Sequence, residues 1–377
     1  MVGGMRTVLI SGAGVAGPTL AYWLARNGFR PTVVERAQGQ RSSGNPVDVR
    51  GPALPVAEEM GIIGRLREAA TAVTAMRFID PVGRSGARVP MPSSRSAAGT
   101  REIEVPRADL ASILYAAARD DAEFVYDDTI TTMAQDAGGV DVTFERGAAR
   151  RFDLVVGADG LHSTVRRLAF GPEAGFLRHL GVFVATAPLG ESVEDPREVL
   201  LYNTPGRLVS VHPSRGRALV AFIFRGAAVP GLDHRDTARH RQILAGAYRD
   251  ERGWRVPELL DQAVHADDLY FDGVGKVVLP TWSAGRVTLL GDAASSVSLF
   301  GDGSSMAIAG ARTLAAALAD ADLADLATAL RRYEAEHRRR TNPLQRNACV
   351  AVATMVPKHR AGIAVRNAAA KLLLSSR

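Results

Sequence analysis

The sequence predicts an α/β protein: a Rossmann-like half on a parallel sheet, interlocked with an antiparallel-sheet half and followed by C-terminal helices. Three observations predict it. The chain starts with a β-branched run, a glycine-rich turn, a helix pattern and a second strand. Two later strands each end in a glycine–aspartate turn, and between Arg166 and Gly285 the pattern changes to short alternating strands. At 377 residues, 46% hydrophobic and 23% charged, the chain is too long for one ordinary core and too apolar for disorder.

Thr7 to Ser11 reads Thr-Val-Leu-Ile-Ser, as a buried parallel strand should. Gly12-Ala13-Gly14-Val15-Ala16-Gly17 follows, a complete G-x-G-x-x-G. Pro18 suits a first helical turn, Leu20, Trp23 and Leu24 recur at helical spacing, and Asn27-Gly28 ends the helix. Pro31 to Glu35 is the second strand, with Arg36 next. Each part has a physical job. The first glycine permits a tight turn, the second lets backbone N–H groups approach a pyrophosphate, and the third allows close helix–strand packing. The helix N-terminus supplies positive dipole, and Glu35, 21 residues beyond Gly14, stands where ribose hydroxyls donate to a carboxylate. The turn predicts a dinucleotide. It does not choose between FAD and NAD, which share the ADP half.

Arg151 to Val156 is another buried-strand pattern, running into Gly157-Ala158-Asp159-Gly160 and then Ser163, Val165 and Arg166. Val287 to Leu290 is a third, ending in Gly291-Asp292-Ala293-Ala294. After a loop containing Gly301-Asp302-Gly303, a small-residue helix starts near Ser304-Ser305. An aspartate at a strand's C-terminal end sits where open α/β sheets bind ligands, or it caps the next helix.

Together these segments resemble the class A flavoprotein monooxygenases of the p-hydroxybenzoate hydroxylase type. Asp159-Gly160-Leu-His162-Ser163-Thr-Val165-Arg166 matches that family's D-G-x-x-S-x-V-R motif, and Gly291-Asp292 its G-D motif. The resemblance covers about residues 1–340. It implies FAD as cofactor, NADPH or NADH as a transient co-substrate, and O2. One oxygen atom would pass from a flavin C4a-hydroperoxide to an aromatic, phenolic or polycyclic small molecule. It also implies roles. Asp159 serves the cofactor, Asp292 takes the ribityl chain, Arg107 stands beside the phosphates or ribityl chain, and Arg50 lies in the loop over the flavin. Ile130 offers its backbone to adenine, and Gly303, Ser304 and Ser305 open a helix aimed at the flavin's pyrimidine end. One segment departs from the family pattern G-D-A-A-H-x-x-x-P: Ser295 replaces His and Leu299 replaces Pro, which bears on substrate geometry.

On this reading residues 1–75, 100–175 and 275–340 form the FAD-binding domain, 76–99 and 176–274 the substrate domain, and 341–377 a helical segment. Val220, Phe222 and Phe224 share one face of a strand by period-two alternation and are aimed at flavin and substrate. His212, beside Pro213, reads as a strand end, and Cys349, among Ala and Val, as small core filler.

Other classes are disfavoured. Net charge is +6, but Arg331 to Arg377 holds 11 basic and 2 acidic residues, leaving 35 basic against 38 acidic before it. Positive charge is not spread over a working face, so no nucleic-acid partner is expected. There is no Walker motif, H-E-x-x-H or nucleophile elbow, and no metal is expected. One cysteine, no signal-like start and no long apolar run fit a cytoplasmic monomer or homodimer without a membrane span. The rivals are a Baeyer–Villiger oxygenase or prenyl-lipid reductase on the same scaffold and a flavin-bearing binding protein. An NAD dehydrogenase would leave Gly291-Asp292 unexplained.

Overall fold

A computed structural model describes residues 6–39, 46–91, 102–215, 217–296, 302–319 and 325–375. The chain opens with β1 (Thr7–Ser11), α1 (Ala16–Arg26), β2 (Arg30–Glu35), β3 (Val47–Arg50), α2 (Ala53–Glu59) and α3 (Ile63–Glu68). It continues with β4 (Ala75–Ile79), β5 (Ser85–Pro90), β6 (Glu102–Val105), α4 (Arg107–Ala118), β7 (Glu123–Tyr126), β8 (Ile130–Gln135), β9 (Val140–Phe144), β10 (Arg150–Phe152), β11 (Leu154–Gly157) and α5 (Thr164–Phe170). Then come β12 (Leu177–Pro188), β13 (Glu198–Thr204), β14 (Arg207–His212), β15 (Leu219–Arg225), α6 (Thr237–Tyr248), α7 (Val256–His265) and β16 (Tyr270–Val277). It ends with β17 (Ser283–Ala284), β18 (Val287–Leu289), α8 (Asp292–Ser295), α9 (Asp302–Ala319), α10 (Leu326–Met355) and α11 (Arg360–Ser375).

The first sheet has strand order β17-β18-β11-β1-β2-β7, parallel except for β17. Its central strands are apolar because α1, itself covered by α9 and α4, packs on β1 and β2, while α5 packs on β11 and β18 and β10 on β1. β1 therefore lies between β2 and β11, with Ser11 beside both Val34 and Gly157. The glycine-rich turn leaves the sheet at an edge where three strands end together.

The second sheet, β16-β12-β15-β14-β13-β4-β5, is antiparallel except where β4 runs parallel to β13. Its two faces are different cores. Val220, Phe222 and Phe224 pack with Phe183 and Phe271 under α6 and α7, and Phe222 meets Tyr248 edge-on at 5.0 Å. The expectation that these three face the flavin is corrected: alternation groups them, but the apolar faces of α6 and α7 claim the group. The opposite face carries Val182, Leu208, Ile223 and Val274 against Val352 of α10 and Val356 just past its end.

Helix α10 runs unbroken through Pro343, so position 341 is no structural boundary. Burial of Tyr333, His337, Thr341, Ala348 and Val352 holds it, and Tyr333 donates to Leu289 O at 3.0 Å. Tertiary packing outweighs the local proline penalty. Cys349 is exposed on this helix rather than filling a core.

Candidate cofactor site

The glycine-rich turn has the shape its three roles require. Gly12 sits at φ +107, and a Cβ there would lie 2.5 Å from Ala158 O. A Cβ on Gly17 would collide with Gly12 O. Above Gly14 a Cβ would meet nothing within 4 Å, so the second glycine opens onto free space. Ala13, Val15 and Ala16 line the turn and are buried. No side chain caps the start of α1, which leaves its first N–H groups for an anion. Glu35 ends β2 and holds the turn: Ala13 N donates to Oε2 at 2.9 Å and Ala37 N to Oε1 at 3.0 Å. Arg36 Nη1 donates to His234 Nε2 at 3.3 Å.

The two glycine–aspartate turns have different surroundings. Asp159 accepts from Ser163 Oγ at 2.5 Å, Val165 N at 3.1 Å and Ser11 Oγ at 3.4 Å. Ser163 in turn caps α5 through Arg166 N at 2.9 Å. Burial raises the Asp159 carboxyl above its ordinary range, against the pull of these donors. Asp292 opens α8 after Gly291, which takes φ +63. No group among the described residues hydrogen-bonds its carboxyl, which burial holds above the usual range while Arg107 pulls down and Asp272 pushes up. Arg107, at the start of α4, is exposed and has no ion-pair partner among the described residues. The fully buried Arg166 joins the two turns, donating to Ala293 O at 3.1 Å and Leu161 O at 2.6 Å, with Glu173 at 3.1 Å.

The first turn of α9 lies beside Asp292: a Cβ on Gly303 would stand 3.6 Å from Asp292 Oδ1. Ser304 and Ser305 are buried, and Ser305 Oγ accepts from Arg50 N at 3.0 Å and donates to Asp48 O at 2.9 Å. Arg50 ends β3 and reaches Asp302 at 2.7 Å and Glu102 at 3.4 Å. Asp48, on the same ribbon, is pushed up to about 7 by burial and by Glu102 and Glu104. Glu104 accepts from Thr71 Oγ1 at 2.7 Å and lies 2.9 Å from His212 Nε2. His212 is thus no idle strand end but a tie from β14 to the β3–β6 ribbon.

From the second sheet, Tyr270 and Asp272 come close to this site: Asp272 acts on the Asp292 carboxyl, and Arg107 and Asp292 act on Tyr270. His162 lies between Glu173 at 3.0 Å and Asp272 at 3.2 Å. Burial lowers the His162 imidazolium, but these two carboxylates outweigh it and lift the group to about 9.

The structure therefore brings the Gly12–Gly17 turn, Glu35 and Arg36 to one edge of the first sheet, and groups Arg107, Asp292 and Gly303 to Ser305 next to them, with Gly291 packed against Ala16. Arg50 is there too, though its guanidinium is occupied by carboxylates. Ile130 starts β8 inside the core, 2% exposed, where only its backbone is left to act. Asp159 shapes its own turn. Gly301 and Leu299 lie outside the described residues. Sequence reasoning missed Tyr270, Asp272 and His234, for which no local motif existed; Arg166 stood inside a motif and was passed over.

A mostly parallel sheet with a pyrophosphate-shaped turn, an aspartate without a hydrogen-bond partner among the described residues beside a helix N-terminus, and an antiparallel lobe packed against them define a dinucleotide-binding oxidoreductase scaffold. The chain matches the FAD binding domain family over residues 5–348 and belongs to it. It is 34% identical over 317 residues to a flavin-dependent monooxygenase of Legionella longbeachae, covering 82% of this chain and 80% of that one. An uncharacterised protein of Mycobacterium tuberculosis is 39% identical over 320 residues, covering 83% and 85%. Among solved structures, the tetracycline destructase Tet(55) superposes with a TM-score of 0.84 at 30% identity, covering 98% of this chain and 96% of that one. The chain is a member of the FAD-dependent monooxygenases.

Proposed function

We propose that this chain consumes NAD(P)H and O2 to insert one oxygen atom into an aromatic, phenolic or polycyclic small molecule. The observation that carries the reading is the carboxyl of Asp292 beside Gly303, which no described residue hydrogen-bonds and on which the exposed Arg107 acts as a cation. Burying a carboxyl without donors is costly, and a polyol chain is a ligand that supplies them. FAD, when bound, supplies the redox chemistry and the activation of oxygen.

The chain's residues hold, orient and shield. Gly12, Gly14, Gly17 and the α1 N-terminus receive the pyrophosphate, and Glu35 accepts from ribose hydroxyls. Asp292 accepts from the ribityl hydroxyls, and Arg107 neutralises phosphate or ribityl-side charge. The first turn of α9, from Asp302 through Ser305, directs backbone N–H groups at the pyrimidine end and favours negative charge there. Arg50, fixed by Asp302 and Glu102, braces that turn through its N–H to Ser305. The substrate lies between the two sheets, against the face that bears Tyr270, Asp272 and His212. In this reading residues 1–75, 100–175 and 275–340 serve the cofactor, and 76–99 and 176–274 the substrate. The likeness to a tetracycline destructase supports a polycyclic substrate.

The test is an absorbance spectrum of the purified protein, followed by NADPH and NADH oxidation in air with a panel of phenols and fused-ring compounds. Flavin bands, and oxidation that one ring class accelerates with a mass gain of one oxygen, are the expected result. A yellow protein whose NAD(P)H oxidation no ring compound stimulates would remove the monooxygenase reading and leave a flavin-bearing binding protein.

A further inference from the structure

The segment between β15 and α6, residues 226–236, leaves the second sheet and touches the first one. Its base is held in the second core by Val229 and Leu232. Its far end is fixed by Asp236, which caps α6 through Arg239 N at 2.9 Å, and by His240, which lies 3.0 Å from Asp233 O and stacks on Phe271. Between these anchors His234 projects outward. Its ring lies parallel to that of His162, centroids 4.5 Å apart at 5°, and its Nε2 accepts from Arg36 Nη1 at 3.3 Å.

Topology says what lies beneath. Arg36 stands just past the end of β2, and His162 belongs to the turn that follows β11. β1 runs between those strands, and the glycine-rich turn leaves its end. A side chain that touches both Arg36 and His162 straddles the crevice outside that turn.

We propose that residues 226–236 form a strap across the adenosine half of the cofactor, with His234 the positioning residue that fastens it to Arg36 and His162. The inference rests on the assignment of FAD to this crevice. FAD then enters or leaves only after the His234 contacts open, so the strap governs exchange rather than the oxygen chemistry.

The tie has a defined protonation state. Accepting from Arg36 requires an unprotonated Nε2, which places the proton on Nδ1, toward Asp233 at 3.8 Å. Burial and then the charges of His162, Arg36 and Arg235 push His234 down to about 4, with Asp233 opposing. His162 keeps its own charge because Glu173 and Asp272 flank it on its other edges. Acidification toward that value puts a proton on Nε2, removes the Arg36 bond and sets three cations together. The strap opens in acid.

The test loads the full chain with FAD, mixes it with an excess of an apoprotein that binds FAD, and follows release by the change in flavin fluorescence. At neutral pH, His234→Ala is expected to release FAD roughly tenfold faster, the worth of one hydrogen bond to a charged group. His234→Gln, whose Oε1 accepts from Arg36 and carries no proton, is expected to stay within about twofold of the unsubstituted chain. Release from the unsubstituted chain quickens as pH falls from about 5 toward 4, and His234→Gln loses that acceleration. Equal release from His234→Ala and the unsubstituted chain overturns the strap, even if the thermal midpoint of the apoprotein drops. Release from His234→Gln as fast as from His234→Ala overturns the Arg36 tie. An unsubstituted chain that takes up no FAD fails the cofactor assignment itself, a result that unchanged release does not produce.

Discussion

Asp159 and Asp292 follow neighbouring strands of one sheet, β11 and β18, each at the C-terminal end and each beside a glycine. After Asp159, Ser163 and the first N–H groups of α5 curl back onto the carboxyl. After Asp292 the chain enters a helix at once. The hydroxyl four residues on, Ser296, turns instead to Gly275 O at 3.4 Å. Both turns pair an aspartate with a glycine; the donors of the next turn decide whether the carboxyl is structural or left for a ligand.

The largest effect that tests this contrast is on stability. Asp159→Ala strips Ser163 and Val165 N of a buried acceptor and should cost about 2–4 kcal/mol, seen as a drop in the thermal midpoint of the apoprotein. Asp292→Ala should leave the apoprotein as stable or slightly more so, because it removes a half-buried carboxyl that desolvation disfavours and that no described residue hydrogen-bonds. Its effect should fall on FAD, weakening binding about tenfold to a hundredfold by loss of charge-assisted hydrogen bonds. If Asp292→Ala unfolds the protein and Asp159→Ala merely loses flavin, the two roles are exchanged.

A smaller effect belongs to Arg107. It makes no ion pair that folding needs among the described residues, so Arg107→Gln should leave the thermal midpoint within a degree or two and weaken FAD about fivefold. The loss should shrink as salt rises, since an exposed cation acts on the cofactor through a screened field. A salt-independent loss would point instead to a specific hydrogen bond.

Much of this architecture was legible because it is local. Thr7 to Glu35 announces strand, turn, helix and strand within one stretch of chain, and the glycine spacing maps onto the contacts of Gly12, Gly14 and Gly17 one by one. The Asp292 turn was equally plain. Three things were not. The face of β15 was ambiguous because period two says which residues travel together, not which neighbour takes them; α6 and α7 took Val220, Phe222 and Phe224. The carboxyl of Asp159 reads like a ligand until its own donors are placed. Tyr270, Asp272 and His234 reach the crevice from a sheet distant in sequence, with no spacing rule to connect them to Glu35 or Asp292.

A third carboxyl sharpens the comparison. Asp48 lacks the donors of Asp159 and sits near Glu102 and Glu104, with Arg50 at 3.8 Å. Burial and these like charges lift it to about 7, against 3.8 when exposed. Between those values the folded chain keeps a proton that the unfolded chain has released, so stability falls as pH rises from 4 toward 7 and the full cost is present above 7. Asp48→Asn carries no such proton. It should stabilise the protein by about 1–2 kcal/mol near pH 8, allowing for solvent screening, and the gain should vanish near pH 4. Thermal midpoints of both chains across that range decide it. A variant less stable than the unsubstituted chain at pH 8 would mean that Arg50 depends on Asp48, and that this carboxyl, like Asp159, is held by its partners rather than left waiting for one.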